Sequence, residues 1–289
     1  MTGPRRTALA LAPALVCAAV VAADGLRPRA SDGLQATLVT AESVARQIQD
    51  RNIGRDSRSA MRMKLFDRHN RVRERAMAVI TLRGRDAPGA LPSAPDADRL
   101  LIRFSYPNDI RGTGFLVWEH PNSDDERFLY LPSLGRVRRI AGAETQESFV
   151  GSDFTYEDIG GREFEDYSYT MLAEEATWTA ADGSVHPAYR LESRTRDAGA
   201  RFPRVVSLVR KDNFVVVHAE VFGKRNEVQK TFDVIRLEKA DGYWTSLEMR
   251  MTDQVQHIRT ELVMEKVEYD VGLKPDDFSR RALERGGDR

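Results

Sequence analysis

Residues 112–161 read GTGFLVWEHPNSDDERFLYLPSLGRVRRIAGAETQESFVGSDFTYEDIGG. Phe115, Leu116, Val117 and Trp118 are four strand formers in a row. A turn-rich acidic stretch, residues 121–125, separates them from Phe128, Leu129, Tyr130 and Leu131, which read as a returning strand. Pro132 ends that strand because it has no N–H for a ladder. Arg136, Arg138 and Arg139, interleaved with Val137 and Ile140, follow as a basic turn. Phe149, Phe154 and Tyr156 then stand among Gly151, Ser152, Asp153, Glu157 and Asp158. The block is thus two strands, a basic turn and an aromatic-acidic loop, with no catalytic dyad or triad in it.

The same grammar extends on both sides. Thr40 is an N-cap for a helix within 35–54, where Val44, Ala45, Ile48 and Ile53 recur at helical spacing and Gly54 closes the run. The period then drops to two. Met61, Met63 and Leu65 alternate with charged neighbours, and residues 71–83 continue as a strand with Ala76, Ala78, Ile80 and Leu82 on one side. Residues 86–98 are a Pro/Ala/Gly-rich exposed loop. Downstream, strand patterns at 167–178, 205–211, 214–222, 228–237, 244–251 and 258–264 are joined by turns such as Asp182-Gly183 and Asp241-Gly242. A short helix at 278–284 closes the chain. About eleven strands with hairpin-like turns, one helix before and one after, predict a mainly β (α+β) fold: a curved antiparallel sheet whose apolar face needs covering.

The first residues have the layout of a secretory signal: Arg5 and Arg6, an apolar run over 8–22, and small residues before a cut at Asp24. The expected organisation is a signal peptide at 1–23 and one domain over 24–289, acting as a monomer in the periplasm. The single cysteine, Cys17, falls inside the leader after Val16 rather than after a small residue, so a lipid anchor there is disfavoured. The chain carries 44 basic and 44 acidic residues, and loss of the leader leaves it about two charges negative. Nothing in that balance points to nucleic acid.

Enzyme chemistry finds little support. The five histidines (His69, His120, His186, His218, His257) are scattered, and no metal-ligand, nucleophile-elbow or phosphate-loop motif occurs. No cofactor and no metal is expected, and Asp124-Asp125-Glu126 lacks the spaced ligands of a calcium loop.

The block resembles the outer-membrane lipoprotein-sorting proteins, relatives of the periplasmic lipoprotein carrier. The resemblance rests on Tyr130-Leu131-Pro132, on Arg136-Val137-Arg138-Arg139-Ile140 and on residues 149–158, with Gly242-Tyr243-Trp244 and residues 278–284 in support. It implies an open half-barrel with helices as a lid, a non-enzymatic carrier of a lipid or lipoprotein acyl chain, and an inner-membrane RND-type exporter as partner. On that reading Met61, Met63, Phe115, Val117, Phe149, Phe154, Tyr156, Met249, Met251 and Met264 line a hydrophobic cavity, although each also suits a plain core. Arg136, Arg138 and Arg139 either contact a head group or partner, or form a solvated edge that blocks aggregation. Two rival classes are an envelope sensor or interaction module on the same fold, and a hydrolase with a scattered site.

Overall fold

The structure, a computed structural model, describes residues 8–9, 39–84, 95–120 and 123–285. The leader, apart from a two-residue strand β1 (Ala8–Leu9), and most of the Pro-rich loop lie outside the described residues. The main body is an antiparallel sheet of thirteen strands. Its first meander comprises β2 (Asp56–Phe66), β3 (Val72–Leu82), β4 (Asp98–Tyr106), β5 (Gly114–Glu119), β6 (Glu126–Leu131) and β7 (Arg136–Ile140). The two-residue β8 (Arg162–Glu163) pairs only with β1. The second meander comprises β9 (Tyr167–Thr179), β10 (Val185–Thr195), β11 (Arg204–Arg210), β12 (Val216–Phe222), β13 (Val228–Ala240), β14 (Tyr243–Asp253) and β15 (Ile258–Tyr269).

Within each meander every strand pairs with its sequence neighbours, and one further ladder, β15 on β2, fuses the two meanders. The order is therefore β7-β6-β5-β4-β3-β2-β15-β14-β13-β12-β11-β10-β9. The sheet stays open, with β7 and β9 as its edges. Two strands more than the sequence count are present. One of them is β7, whose three arginines hide its period of two. Bulges at Leu208/Val209, Val234/Arg236 and Met264/Lys266 interrupt the ladders. Each bulge bends its strand and adds twist, which curls so long a sheet.

The two faces differ. Phe115 and Val117 of β5 point to the inner face and join Met61, Met63, Met249, Met251 and Met264 in one large buried cluster. Leu116 points outward and joins Leu82, Leu101 and Phe128. This outer cluster is covered by the C-terminal segment, a 3-10 turn (Pro275–Phe278) followed by α3 (Arg280–Glu284), through Phe278 and Leu283. Trp118 Nε1 donates to the Phe278 carbonyl at 2.8 Å and fixes that segment. Gly114 suits that close approach, since a Cβ would lie 2.5 Å from Leu283 Cδ1 and push that side chain aside. The closing helix therefore covers the outer face, and the lid over the inner face is built from other elements.

One of those is α1 (Ala41–Gln49). Thr40 caps it, accepting from the Ser43 amide at 3.1 Å while Ser43 Oγ accepts from the Thr40 amide at 3.0 Å. Its buried stripe, Ala41, Val44, Ala45 and Ile48, packs on Tyr167, Tyr169, Leu191 and Val209. Leu191 stands opposite Ser207, Ser207 opposite Ala219, and Ala219 opposite Phe232, so this contact lies on the inner face too. No described helix is long and apolar enough to cross a membrane.

Candidate functional site

Because β7 and β9 are opposite edges, residues 141–166 must travel from one end of the sheet to the other. They cross the inner face. The crossover contains the aromatic-acidic loop: Ser148 and Thr155 form a bridge, Phe149 N donates to Phe154 O at 2.8 Å, and Tyr156 N donates to Glu147 O at 3.1 Å. The turn between them needs left-handed backbone at Val150 (φ 49°) and Gly151 (φ 75°). After it comes α2 (Tyr156–Gly160), capped reciprocally by Thr155 and Asp158.

The crossover drives its apolar side chains into the sheet. Phe149 is fully buried, with its ring centroid 5.4 Å from Phe115, 5.5 Å from Tyr156 and 6.0 Å from Phe104. Phe154 and Ile159 complete the plug. Polar anchors hold it down. Asp153 accepts from Thr260 Oγ1 at 2.7 Å, and its amide donates to the same oxygen at 3.0 Å. Lys230 Nζ donates to the Asp153 carbonyl, and Arg75 donates to the Val150 carbonyl. Arg127 donates to Gly161 O at 2.9 Å and to Asp125 at 2.8 Å. Arg162 donates to Asp158 at 2.6 Å, and both side chains of that pair are 5% exposed.

Burial opposes ionisation of Asp158, but the charges of Arg162 and Lys230 and the Thr155 bonds outweigh it, so its carboxyl titrates low. Burial raises the Asp153 carboxyl and lowers the Lys230 ammonium, and the opposite charges nearby offset only part of each effect.

Two of the cavities bordering the plug lie at opposite ends of β2. At the Ser57 end lies an apolar cavity of about 100 Å³, walled by Met61, Met77, Leu100, Ile102, Ile159 and Met264, with Thr81, Asp98 and Glu119 among its polar members. Glu119 is held well above the usual carboxylate range by burial and by the like charges of Asp125 and Asp98, with Arg83 and Arg127 opposing. At the Leu65 end lies a polar cavity of about 290 Å³ that includes Arg73, Asp153, Arg201 and Lys230.

The residues singled out in the sequence fall into three groups. Met61 and Met264 wall the apolar cavity. Met63, Phe115, Val117, Met249 and Met251 are fully buried beneath the plug, in the same cluster. Phe149, Phe154 and Tyr156 belong to the plug and cover the face from above. Met77, one of the strand methionines, also walls this cavity; the sequence reading did not single out Val79, which faces inward beside it on β3, nor Ile159 and Glu119. Alternation was visible on β3, but both of its faces are apolar, so the pattern alone did not tell which was inner.

The arginines sit on the edge strand β7. Arg136 stands opposite Leu131 and Arg138 opposite Leu129, on the inner side, while Arg139 is opposite Phe128 on the outer side. Arg138 pairs with Glu144 at 3.2 Å.

Comparison with known proteins gives the same picture. A crystal structure described as an outer membrane lipoprotein-sorting protein domain from Vibrio parahaemolyticus is 27% identical, with a TM-score of 0.73, covering 85% of this chain and 98% of that one. A DUF1329 family protein from Desulfovibrio piger is 29% identical, with a TM-score of 0.71, covering 83% of this chain and 95% of that one. A LolA superfamily protein from Nitrosomonas europaea shares the fold at 16% identity and a TM-score of 0.62, covering 84% of this chain and 99% of that one. No curated protein matches the chain significantly. A family model described as an uncharacterized protein matches residues 96–285. The chain thus belongs to that family, is similar in sequence and fold to the lipoprotein-sorting domain and the DUF1329 protein, and shares the fold of the LolA superfamily protein.

Proposed function

We propose that the protein is a non-enzymatic periplasmic carrier that shields an acyl chain, of a free lipid or of a lipoprotein, between the inner and outer membranes. One observation carries this reading: a Met-rich apolar face, assembled by both meanders, is covered by a crossover rather than by a second sheet. Methionine suits such a surface because its flexible, polarisable side chain adapts to ligands of varied shape. Each methylene moved from water into it contributes about 0.8 kcal/mol, so a medium-length chain supplies enough to lift the plug.

In the closed form the apolar cavity of about 100 Å³ is smaller than a roughly 150 Å³ site that accepts benzene. Loading therefore requires the crossover to move, with Phe149, Phe154 and Tyr156 giving up their places to the ligand. Cavity ligands are then Met61, Met63, Phe115, Val117, Met249, Met251 and Met264. Arg136, Arg138 and Arg139, on an exposed edge, contact a partner, for which an inner-membrane RND-type exporter is our candidate.

The test is native mass spectrometry with lipid extraction on the chain beginning at Asp24, purified from a periplasmic fraction. Co-purified phospholipid or lipopeptide supports the carrier and names its cargo. A bare mass, with no uptake from vesicles, refutes it and puts an envelope sensor or interaction module on the same fold in its place.

A further inference from the structure

The polar cavity at the Leu65 end of the inner face has chemistry of its own. Its charged members are Arg73, Arg201, Lys230, Asp67, Asp153 and Asp253. The three carboxylates are spent locally. Asp67 accepts from the His69 and Arg71 amides and from Arg71 Nε. Asp253 accepts from the Val255 and Gln256 amides and the Gln256 side chain. Asp153 is taken by Thr260. The cations are not matched in the same way. Lys230 is 7% exposed and gives one hydrogen bond, to the Asp153 carbonyl, leaving donors over. The acids that act on it, Asp153, Asp158 and Asp253, do so through space while engaged elsewhere. Arg73 and Arg201 are exposed, and neither guanidinium has a carboxylate partner among the described residues. By register Arg73 stands beside Leu65 and Lys230 beside Val221, both on the inner face.

We propose that this cavity is a binding site for a phosphate-class oxyanion, held by Arg73, Arg201 and Lys230. Two guanidinium forks at the rim suit a tetrahedral oxyanion, and a buried ammonium supplies the point charge behind them. A volume of about 290 Å³ exceeds the roughly 30 Å³ share of one water several-fold, so a phosphate or phosphodiester fits with its hydration partly retained. The anion has two sources, a lipid head group or free phosphate. The head-group source rests on the carrier reading above, and the oxyanion site itself does not.

The experiment is isothermal titration calorimetry on the mature, delipidated chain at fixed ionic strength. One arm uses inorganic phosphate, the other monomeric dihexanoyl phosphatidylglycerol. Saturable heats are expected, weakened by about tenfold or more in Arg73→Ala/Arg201→Ala, since both charge-assisted donors at the rim are then lost. Both positions are exposed, so this variant keeps its fold. Arg58→Ala, which removes a charge at the other end of β2, leaves binding unchanged. Tighter binding of the phospholipid assigns the site to a head group, and equal or tighter binding of phosphate assigns it to the free ion. No saturable binding of either probe, or binding equal in wild type and double variant, overturns the site. Lipid still co-purifying in that case leaves the carrier reading standing. Phosphate binding with no lipid uptake removes the carrier and leaves the anion site.

Discussion

Replacing Phe149 with alanine tests whether the crossover is a detachable plug. The ring is fully buried and touches Phe104, Phe115 and Tyr156 at centroid distances of 5.4 to 6.0 Å. Removing such a ring costs about 3–5 kcal/mol in lost transfer and residual cavity. The distribution of that loss is the informative part. If the crossover can lift from an intact sheet, the cost falls on the equilibrium between docked and lifted forms. Hydrogen exchange then accelerates by about 10²- to 10³-fold at the amides of Phe149, Ser152 and Tyr156, since every 1.4 kcal/mol is a factor of ten. Those amides are bonded only within the crossover, to Phe154, Phe149 and Glu147 carbonyls. Amides in the β2–β15 ladder keep their protection, and the loss in a urea melt is smaller than the local loss. Uptake of a lipid probe is faster in the variant. Two results refute the reasoning. Equal acceleration in the crossover and in β2–β15 means that the crossover unfolds only with the sheet. A urea-melt loss under about 1 kcal/mol, with unchanged exchange, means that the ring is not packed as described.

Three further outcomes follow from charged groups. Glu119 has a folded-state pKa raised by burial and by Asp125 and Asp98. The folded protein therefore holds its proton more tightly than the unfolded chain, and stability falls as pH rises from the unfolded value of about 4.3 through the folded one. Glu119→Gln removes this penalty, so its gain over wild type in urea melts should be larger near pH 8 than near pH 5; equal gains would contradict it. His218 is raised by its 2.7 Å hydrogen bond to Asp233, with burial opposing. That stabilisation is complete below the unfolded pKa of about 6.5 and is lost as pH rises through the folded value, so His218→Gln should flatten the decline above neutrality. Asp158→Ala strands the buried Arg162 guanidinium and should cost about 3–5 kcal/mol in the same melts. Asp158→Ala/Arg162→Met should recover much of it, and no recovery would mean that the Asp158 cap on α2 matters more than the ion pair.

Alternation at Met61, Met63 and Leu65 set one apolar face apart because the intervening Arg62 and Lys64 are polar, and all three lie in the inner cluster. On β3 and β5 both faces are apolar, since the C-terminal segment covers the outer one, and periodicity loses its power to tell inside from outside. The strand β7 was hidden by its arginines. Its membership of the sheet comes from pairing with β6, a long-range property that composition does not carry.

The aromatic-acidic loop shows a deeper limit. Three buried rings among glycine, serine and aspartate read equally as core or as ligand lining, and in the structure they are core. The rings are core in the closed form because the chain must pass from edge β7 to edge β9, and the inner face is the route it takes. A segment forced across an apolar face by topology, and not hydrogen-bonded into the sheet along its length, is held by side chains and a few polar anchors. On the carrier proposal, such a segment is the one an acyl chain would displace at lower cost than any strand. Removing a strand forfeits a ladder of backbone bonds, whereas lifting the crossover exposes rings whose places the proposed acyl chain would fill. The link between the two meanders is therefore also the element best suited to open the protein.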